Sequence, residues 1–381
     1  MRKIAVITGT RAEYGLFKSV LNAIESKRDL QVSLIVIGMH LSPEFGYTVE
    51  EIEKDGFKIG AKIAVLHGED TKASMAKSLG ECLSRTAEAL EKIRPDILLI
   101  LGDRSEMLVG AVGATYMGVP IAHIHGGDVS GNVDEPVRHA ITKLAHIHFP
   151  ATKKSGERII KMGEESWRVH VVGAPGLDPI ISEKVPDRKE IAAKYGLNLS
   201  KPVLLVLQHS VVTEAEDAAN QIRETLEAVN ELKQQTVLIY PNADAGGRRM
   251  IKTIKEYEKY PFVKAFKSVL HEDYLGLMKL ASVMIGNSSS GIIEAPSFGL
   301  PVVNIGTRQI GRQRAGNVID VGYDRKEIIN AVKKALYDKN FREKVRHCRN
   351  PYGDGKAGRR IAKVLAEVVL GSKLLEKRMT Y

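Results

Sequence analysis

The chain has 381 residues, more than one hydrophobic core usually organises, so two domains of ordinary size are expected. Hydrophobic residues make up 44% and charged residues 27%, values close to those of globular proteins, which argues against a disordered or fibrous chain. The net charge of +10 would suit binding to nucleic acid, to an anionic membrane or to a small phosphorylated substrate. Lys and Arg are scattered among Asp and Glu, however, and this distribution favours the small substrate over nucleic acid and membrane.

The first predicted element is a strand that begins almost at the first residue. Ile4–Thr8 follows Met1 to Lys3, a segment that is too short for the apolar region of a signal peptide. No apolar run of the sequence reaches membrane-spanning length, and Cys82 and Cys348 are too few for a secreted disulfide framework. We therefore expect a cytoplasmic protein.

Apolar runs of strand length alternate with helical patterns along the chain, which is typical of βαβ units and parallel sheets. The first series comprises Ile4–Thr8, Val32–Ile37, a run near Ile63–Leu66, Ile97–Leu101, Val119–Ile124, His146–Phe149 and Val169–Val172, with a helix over Met75–Ile93. The second series comprises Val203–Leu207, Val237–Tyr240, Val263–Phe266, Val283–Ile285 and Val302–Ile305. Turn-forming residues cluster between Ala174 and Pro186, which predicts an α/β chain of two domains, 1–178 and 179–357.

Unusual polar residues follow the predicted strands in both series. They are Arg11, His40, Asp103, Arg104, His123, His125 and Asp128 in the first half, and His209, Asn242, Asn287, Ser288 and Arg308 in the second. Open α/β sheets bind ligands outside the carboxyl ends of their strands. Two such domains facing each other would therefore form one composite site.

The loop from Gly9 to Gly15 contains glycine at both ends but matches neither the dinucleotide-binding nor the ATP-binding glycine pattern. Arg11, at the start of a helix, could bind a diphosphate through its guanidinium group. The alternative is a surface arginine paired with Glu13.

The segment from Asn287 to Gly291 contains three consecutive serines. It follows the predicted strand Val283–Ile285 and leads into a helix, so it is predicted to be a polar turn between the two. Hydroxyls and free amides at a helix N-terminus form a natural anion site that would suit the two phosphates of a nucleotide. Glu294, about one turn later, could accept hydrogen bonds from ribose hydroxyls. The alternative is ordinary helix capping by one serine.

Carboxylates are dense between Asp128 and Glu135, just before a predicted helix. Asp134 could simply cap that helix, with Pro136 in its first turn, but the density of carboxylates favours a general acid or base. His123, His125 and Asp128 could also form a metal site, although histidines that bind a sugar or fix the loop are the simpler interpretation. His209 is either a polar strand end or a titratable group near phosphates.

Eight segments resemble the hydrolysing UDP-N-acetylglucosamine 2-epimerases of sialic-acid synthesis, in order, from the first strand to about Val321. The segments are Gly9–Tyr14, Gly102–Arg104, His123–Gly131, Arg138–His146, Gln208–His209, Pro241–Gly246, Gly286–Gly291 and Gly306–Arg312. The resemblance implies the GT-B architecture, two Rossmann-like domains with a C-terminal helix, about 358–381, that packs back on the first domain. It also implies a homodimer or homotetramer that releases UDP and N-acetylmannosamine without a metal or redox cofactor.

The resemblance also implies roles for individual residues. Asp103 and Asp134 match the catalytic carboxylates. Arg11, Glu13, Arg104, His209 and Asn242 match diphosphate or sugar contacts, with His209 also a catalytic candidate, whereas Ser288, Ser289, Glu294 and Arg308 match UDP ligands and the backbone near Val269 matches the uracil site. Many relatives have a catalytic glutamate where this chain has His125. Either His125 takes over that proton transfer, or Asp128 supplies the carboxylate with His125 assisting, and the second arrangement is favoured here.

In this chemistry the C1–oxygen bond breaks, a carboxylate removes the acidified C2 proton, and water then adds at C1 while a proton returns to the opposite face of C2. The predicted substrate is UDP-N-acetylglucosamine. The alternatives are a UDP-2,4-diacetamido-2,4,6-trideoxyhexose, a non-hydrolysing epimerase that reattaches UDP, a GT-B glycosyltransferase, and a UDP-sugar sensor without catalysis.

Overall fold

A computed structural model describes residues 1–65, 71–130, 133–182 and 185–381 of the chain. Within these residues the strands form two six-stranded parallel sheets. The first sheet has the order β3-β2-β1-β4-β5-β6 and consists of β1 Arg2–Thr8, β2 Leu30–Ile37, β3 Ile59–Ile63, β4 Ile97–Leu101, β5 Ile121–Ile124 and β6 Ile147–Phe149. The second has the order β12-β11-β10-β7-β8-β9 and consists of β7 Val203–Leu207, β8 Gln235–Ile239, β9 Val263–Phe266, β10 Val283–Gly286, β11 Val302–Ile305 and β12 Val318–Val321.

Helices connect the strands and cover both faces of each sheet. In the first part of the chain they are α1 Arg11–Glu25, α2 Val49–Lys54, α3 Lys72–Ile93, α4 Ser105–Tyr116, α5 Asp134–Leu144, α6 Lys153–Lys161 and α7 Asp178–Ile181. They continue with α8 Arg188–Tyr195, α9 Ala218–Leu232, α10 Gly247–Tyr257, α11 His271–Leu280, α12 Ser290–Ile293, α13 Arg325–Tyr337, α14 Lys339–Arg346, α15 Ala357–Glu367 and α16 Ser372–Leu375. Among the described residues no helix combines the length and the apolar character needed to span a bilayer.

Burial on both sides explains the continuous apolar strands. In β1, Ile4 and Val6 pack into one core cluster, while Ala5 and Ile7 pack into another on the opposite face. The same alternation divides Leu204 from Leu205 in the second sheet. A parallel sheet covered by helices on both faces selects such residues. The predicted α/β class with GT-B architecture is confirmed.

Several predicted elements have different limits. The strand predicted near Ile63–Leu66 is wrong as placed, because the strand is Ile59–Ile63. Gly60 has no side chain, which lets its backbone approach Ser33 of β2. Leu66 lies outside the described residues. Val169–Val172 is wrong as a strand. His170 and Val172 donate backbone hydrogen bonds to His148 and Pro150, but only one isolated bridge, His148 to Val169, forms.

The C-terminal segment packs on the first domain, but it is helical over a shorter range than predicted. Ala357–Glu367 lies against α1, and a Cβ at Gly358 would lie 2.8 Å from the carbonyl oxygen of Ser19. Beyond Glu367 the predicted continuous helix is wrong, because Arg2 donates hydrogen bonds to the carbonyls of Leu365, Ala366 and Val368 and so satisfies the helix end. The domain limits 1–178 and 179–357 stay a prediction, and residues 183 and 184 near that boundary lie outside the described residues.

Candidate functional site

A cleft with a cavity volume of about 250 Å³ lies between the two domains, at the carboxyl ends of both sheets. Polar contacts join its two sides. Arg11 Nη1 donates a hydrogen bond to Ser268 Oγ at 2.8 Å, and Arg104 Nη1 lies 3.3 Å from Asp244 Oδ1. Both domains therefore contribute to the walls of the cleft and contact each other across it.

The structure brings nearly all of the predicted site residues to this cleft. They are Arg11, Glu13, Asp103, Arg104, His125, Asp128, His209, Asn242, Val269, Ser288, Ser289, Glu294 and Arg308. Asp134 is not among the described residues that line it, but its Oδ2 lies 3.4 Å from Nη2 of the cleft residue Arg308. Polar groups from the ends of separate strands thus converge on one place.

The start of α1 is fixed by a capping box. Thr10 Oγ1 accepts the amide of Glu13, whose Oε2 accepts the amides of Gly9 and Thr10. Burial raises the pKa of Glu13 to about 8, against the nearby charge of Arg104. The suggested pairing of Arg11 with Glu13 is wrong, because the Arg11 Nε donates to Glu51 at 2.6 Å, leaving Arg11 held in the cleft wall.

Asp103 and Asp134 have opposite electrostatic environments. Asp103 accepts a hydrogen bond from the buried Arg138; burial alone would raise the pKa of Asp103, but Arg138, Arg312 and Arg308 outweigh it and lower that pKa. Burial and the adjacent charge of Asp103 raise the pKa of Asp134, and Arg308 only partly offsets them. The pKa values of these two carboxyl groups are therefore shifted in opposite directions, as expected of a base and an acid.

His125 and Asp128 lie on the loop after β5. His125 has a φ of 63°, a conformation that is uncommon outside glycine, and its Nδ1 is 3.9 Å from Asp128 Oδ2. Asp128 accepts a hydrogen bond from Ser155 Oγ at 2.6 Å and lies 3.5 Å from Arg312 Nη1. Burial would raise the pKa of Asp128, but His125 and Arg312 outweigh it and lower that pKa. Asp128 is thus an ionised group held on several sides.

The geometry does not support a metal at these histidines. His123 Nε2 donates to the carbonyl of Gly102 at 2.7 Å, so this histidine fixes the loop before Asp103. Burial lowers the pKa of His123 to about 3, which keeps the ring neutral. In the part of the chain that the structure describes, no group of three or more His, Cys, Asp or Glu residues is placed to hold a metal ion.

His209 follows β7 and is held in one tautomer. Its Nδ1 accepts the amide of Asn242 at 3.2 Å, so the proton of the neutral ring lies on Nε2. Its own amide donates to Asn287 Oδ1 at 2.7 Å, and Asn287 Nδ2 donates back to its carbonyl at 2.9 Å. Burial, followed by Arg308 and Arg104, lowers the pKa of His209 well below its ordinary value. The ring is therefore a fixed hydrogen-bond donor.

The serine turn of the second domain lies between β10 and α12, in the order that the sequence predicted. Because α12 has only four residues, its helix dipole contributes little to the attraction of an anion. Ser289 occupies the N-cap without a side-chain cap bond, whereas Ser288 Oγ contacts Ser290 Oγ at 2.8 Å. The groups available to an anion on this side of the cleft are therefore the serine hydroxyls and the guanidinium groups of Arg308 and Arg312.

Glu294 lines the cleft directly after α12. Its side chain is buried, and a Cβ at Gly176 would lie 2.4 Å from Glu294 Oε1. Burial raises the pKa of Glu294 to about 7. Val269 lines the cleft beside His271, whose pKa burial lowers to about 4. The cleft lining thus also contains a carboxyl group with a raised pKa and a neutral imidazole.

Sequence reasoning missed Arg138, Arg312 and His271 as site residues. Arg138 and Arg312 belong to segments that carry the family resemblance, which was an available signal, but their partners Asp103 and Asp128 lie far away in sequence. His271 offered no signal, because a histidine at the start of a helix is common.

Comparisons with known proteins identify the family of the chain. The family described as UDP-N-acetylglucosamine 2-epimerase matches residues 22–366. A hydrolysing UDP-N,N'-diacetylbacillosamine 2-epimerase of Legionella pneumophila is 41% identical over 381 residues, 100% of both chains. A UDP-N-acetylglucosamine 2-epimerase of Neisseria meningitidis is 35% identical over 335 residues, 88% of both chains.

A solved structure has the same fold. It is a UDP-GlcNAc 2-epimerase from Neisseria meningitidis bound to UDP-GlcNAc, with a TM-score of 0.78 at 19% identity, covering 97% of this chain and 100% of that one. From the family match and the full-length relative, the chain belongs to the UDP-N-acetylglucosamine 2-epimerase family and is a UDP-sugar 2-epimerase.

Proposed function

We propose that this chain is a hydrolysing 2-epimerase that converts a UDP-2,4-diacetamido-2,4,6-trideoxyglucose and water into UDP and the free 2-epimeric sugar. The observation that carries the reaction type is the pairing of Asp103 and Asp134, with opposite pKa shifts, beside a cleft lined by cationic and hydroxyl groups. The choice of sugar is supported by the Legionella pneumophila relative, which matches this chain over its whole length.

UDP-N-acetylglucosamine is the second candidate substrate, as the sequence alone predicted. It is favoured by the Neisseria meningitidis relative, which matches 88% of this chain. The two sugars differ at C4 and C6 but share the atoms that react, so the proposed chemistry is the same for both.

Elimination is the first step of the proposed mechanism. Asp103, held ionised by Arg138, removes the C2 proton, the C2–H electrons form the C1–C2 double bond, and the C1–oxygen electrons leave with UDP. Arg308 and Arg312 of the second domain compensate the charge that develops on the leaving diphosphate. The neutral His209 adds a hydrogen-bond donor through Nε2.

Hydration is the second step. Asp134, whose pKa is raised, returns a proton to the opposite face of C2, water bonds to C1, and the proton lost by that water passes to solvent. Asp103 then loses its proton to solvent and Asp134 regains one, which restores both groups.

His125, oriented by Asp128, is the alternative proton donor. Because Asp128 is already held by Ser155 and Arg312, we propose that His125 rather than Asp128 faces the sugar.

The test is incubation of the purified chain with each UDP-sugar in deuterated water, followed by NMR. We expect free UDP and a free 2-epimeric sugar with deuterium at C2, and a higher kcat/KM for the diacetamido sugar. A 2-epimer that remains bound to UDP would refute the hydrolytic step, and release of UDP without epimerisation would refute the elimination route. A higher kcat/KM for UDP-N-acetylglucosamine would reverse the choice of sugar.

A further inference from the structure

The C-terminal tail, residues 368–381, brings a lysine to the end of α5. Lys377 Nζ donates hydrogen bonds to the backbone carbonyls of Lys143 at 2.6 Å, Ala145 at 2.5 Å and Thr142 at 3.4 Å. The last carbonyls of a helix have no partner within the helix, and a cation there also interacts favourably with the helix dipole. Lys377 therefore acts as the cap of α5, supplied from more than two hundred residues away in sequence.

Buried groups hold this lysine in place. Glu164 Oε2 lies 2.8 Å from Lys377 Nζ, and the Glu164 side chain is 1% exposed. Its other oxygen accepts a hydrogen bond from Lys143 Nζ at 2.6 Å, and His148 Nε2 lies 3.1 Å from Oε2. The tail is thus connected to α5 and to β6 through one buried carboxylate.

A second buried residue holds the tail backbone. Arg168, 1% exposed, donates hydrogen bonds to the carbonyls of Lys373 at 3.0 Å, Leu374 at 2.7 Å and Glu376 at 2.9 Å. Leu374 is buried in the core cluster of the first domain. This set of contacts fixes the tail up to the residue before Lys377, so its ammonium group has a defined position.

The other end of α5 carries the proposed chemistry. Asp134 begins the helix, and Arg138, one turn later, donates to Asp103, to the Asp128 carbonyl at 2.9 Å and to Ser130 Oγ at 3.1 Å. Because a helix of 11 residues moves as a stiff unit, a shift at its carboxyl end also shifts Arg138 and Asp134.

A side-chain connection runs in parallel with the helix. Thr142 Oγ1 donates to the carbonyl of Arg138 at 3.0 Å and lies 3.4 Å from His123 Nδ1. His123 Nε2 in turn donates to the carbonyl of Gly102, the residue before Asp103. The same region that Lys377 caps therefore also contacts the loop that carries Asp103.

We infer that Lys377 is a positioning residue for the epimerase reaction, which holds α5 so that Asp134 and Arg138 keep their places beside Asp103. It touches neither the cleft nor the proposed substrate, and it acts through the carboxyl end of the helix. The inference rests on the proposed function, which assigns the chemistry to Asp103 and Asp134. Displacements near 1 Å at reacting groups lower rates by about 100-fold, so a partial release of α5 is sufficient to reduce turnover.

The test compares Lys377→Met with Arg378→Met. Both variants remove one positive charge from the tail, but Arg378 is an exposed neighbour. For Lys377→Met we expect kcat to fall about tenfold, with KM for the UDP-sugar and Kd for UDP within about twofold of the wild-type values, because Lys377 does not line the cleft and the proposed UDP ligands, Glu294 and Arg308 among them, lie on the second domain. Arg378→Met should match the wild type. An unchanged kcat in Lys377→Met, or an equal loss in both variants, would overturn the inference.

Two further measurements separate positioning from a general loss of stability. Amide hydrogen exchange should become faster in α5 of Lys377→Met while β7 to β11 exchange as in the wild type, and unchanged exchange in α5 would overturn the inference. Lys377→Arg, which keeps the charge, should recover most of kcat, and no recovery would also overturn it. Hydrogen exchange does not depend on turnover, so this measurement decides the role of Lys377 even if the wild type releases no UDP, a result that would refute the proposed function instead.

Discussion

Glu294→Gln should stabilise the chain in the absence of nucleotide while weakening its binding of UDP. Burial raises the pKa of Glu294 from 4.5 to about 7. A carboxyl group whose pKa is higher in the folded than in the unfolded chain leaves stability unaffected below pH 4.5. As the pH rises through 4.5 the unfolded chain ionises first, so the folded state loses stability until the pH exceeds about 7.

The size of this effect follows from the shift. Each pKa unit corresponds to about 1.4 kcal/mol, so ionised Glu294 destabilises the fold by about 3 kcal/mol above pH 7. The glutamine has the same shape and no charge. Its buried amide lowers the free energy of unfolding by about 1 kcal/mol, because an amide hydrogen without an acceptor is left unpaired. The net gain in the free energy of unfolding is therefore about 2 kcal/mol near pH 8, whereas near pH 4.5 the amide cost dominates and the variant should be less stable than the wild type by up to about 1 kcal/mol.

Urea denaturation of nucleotide-free protein at several pH values between these limits measures the gain. Glu272→Gln is the matched control, because Glu272 is an exposed acid on α11. A difference between Glu294→Gln and the wild type that does not change with pH would refute the assignment of a raised pKa. Calorimetric titration with UDP should give a weaker affinity for the variant, because the carboxylate is the proposed acceptor of the ribose hydroxyls; an unchanged affinity would contradict that role.

Three substitutions test the division of labour in the cleft. Asp103→Asn should lower kcat by at least about 100-fold and leave the Kd of UDP nearly unchanged, and normal UDP release would show that Asp103 is not the base. Arg308→Ala should raise the Kd of UDP by about tenfold or more in calorimetric titration, because charge-assisted hydrogen bonds contribute about 1.5–3 kcal/mol, and an unchanged Kd would place the diphosphate elsewhere. Ser155→Ala removes a hydrogen bond to Asp128 and should lower kcat about fivefold at constant KM in a UDP-release assay, whereas a change confined to KM would contradict a role of Asp128 in orienting His125.

The composite cleft could be predicted because parallel strands bring their carboxyl ends to one edge. Asp103, His209, Asn242 and Arg308 each follow a recognisable apolar strand, so their meeting place follows from topology without any knowledge of contacts. The strand limits could be predicted where the apolar run is continuous, as in Ile97–Leu101, which matches β4 residue for residue.

Other parts depend on contacts between distant segments. Val318–Val321 was missed because Asp320 interrupts a short run at the sheet edge, and this aspartate is satisfied there by Asn304 and Arg314. The length of α12 could not be predicted, because the helical pattern after Ser290 gives way to a tighter turn at Ala295–Phe298 that contains Pro296. No local sequence pattern could predict that Lys377 donates hydrogen bonds to the carboxyl end of α5.

The contacts across the cleft make the acid–base properties of the first domain depend on the second. Arg312 lowers the pKa of Asp128, and Arg308 opposes the rise in the pKa of Asp134. Separating the domains would remove both guanidinium groups and would also reduce the burial that raises both pKa values, so the two effects would oppose each other. The protonation of the two carboxyl groups of the first domain is therefore set in part by guanidinium groups of the second, and the proposed reaction would depend on both domains.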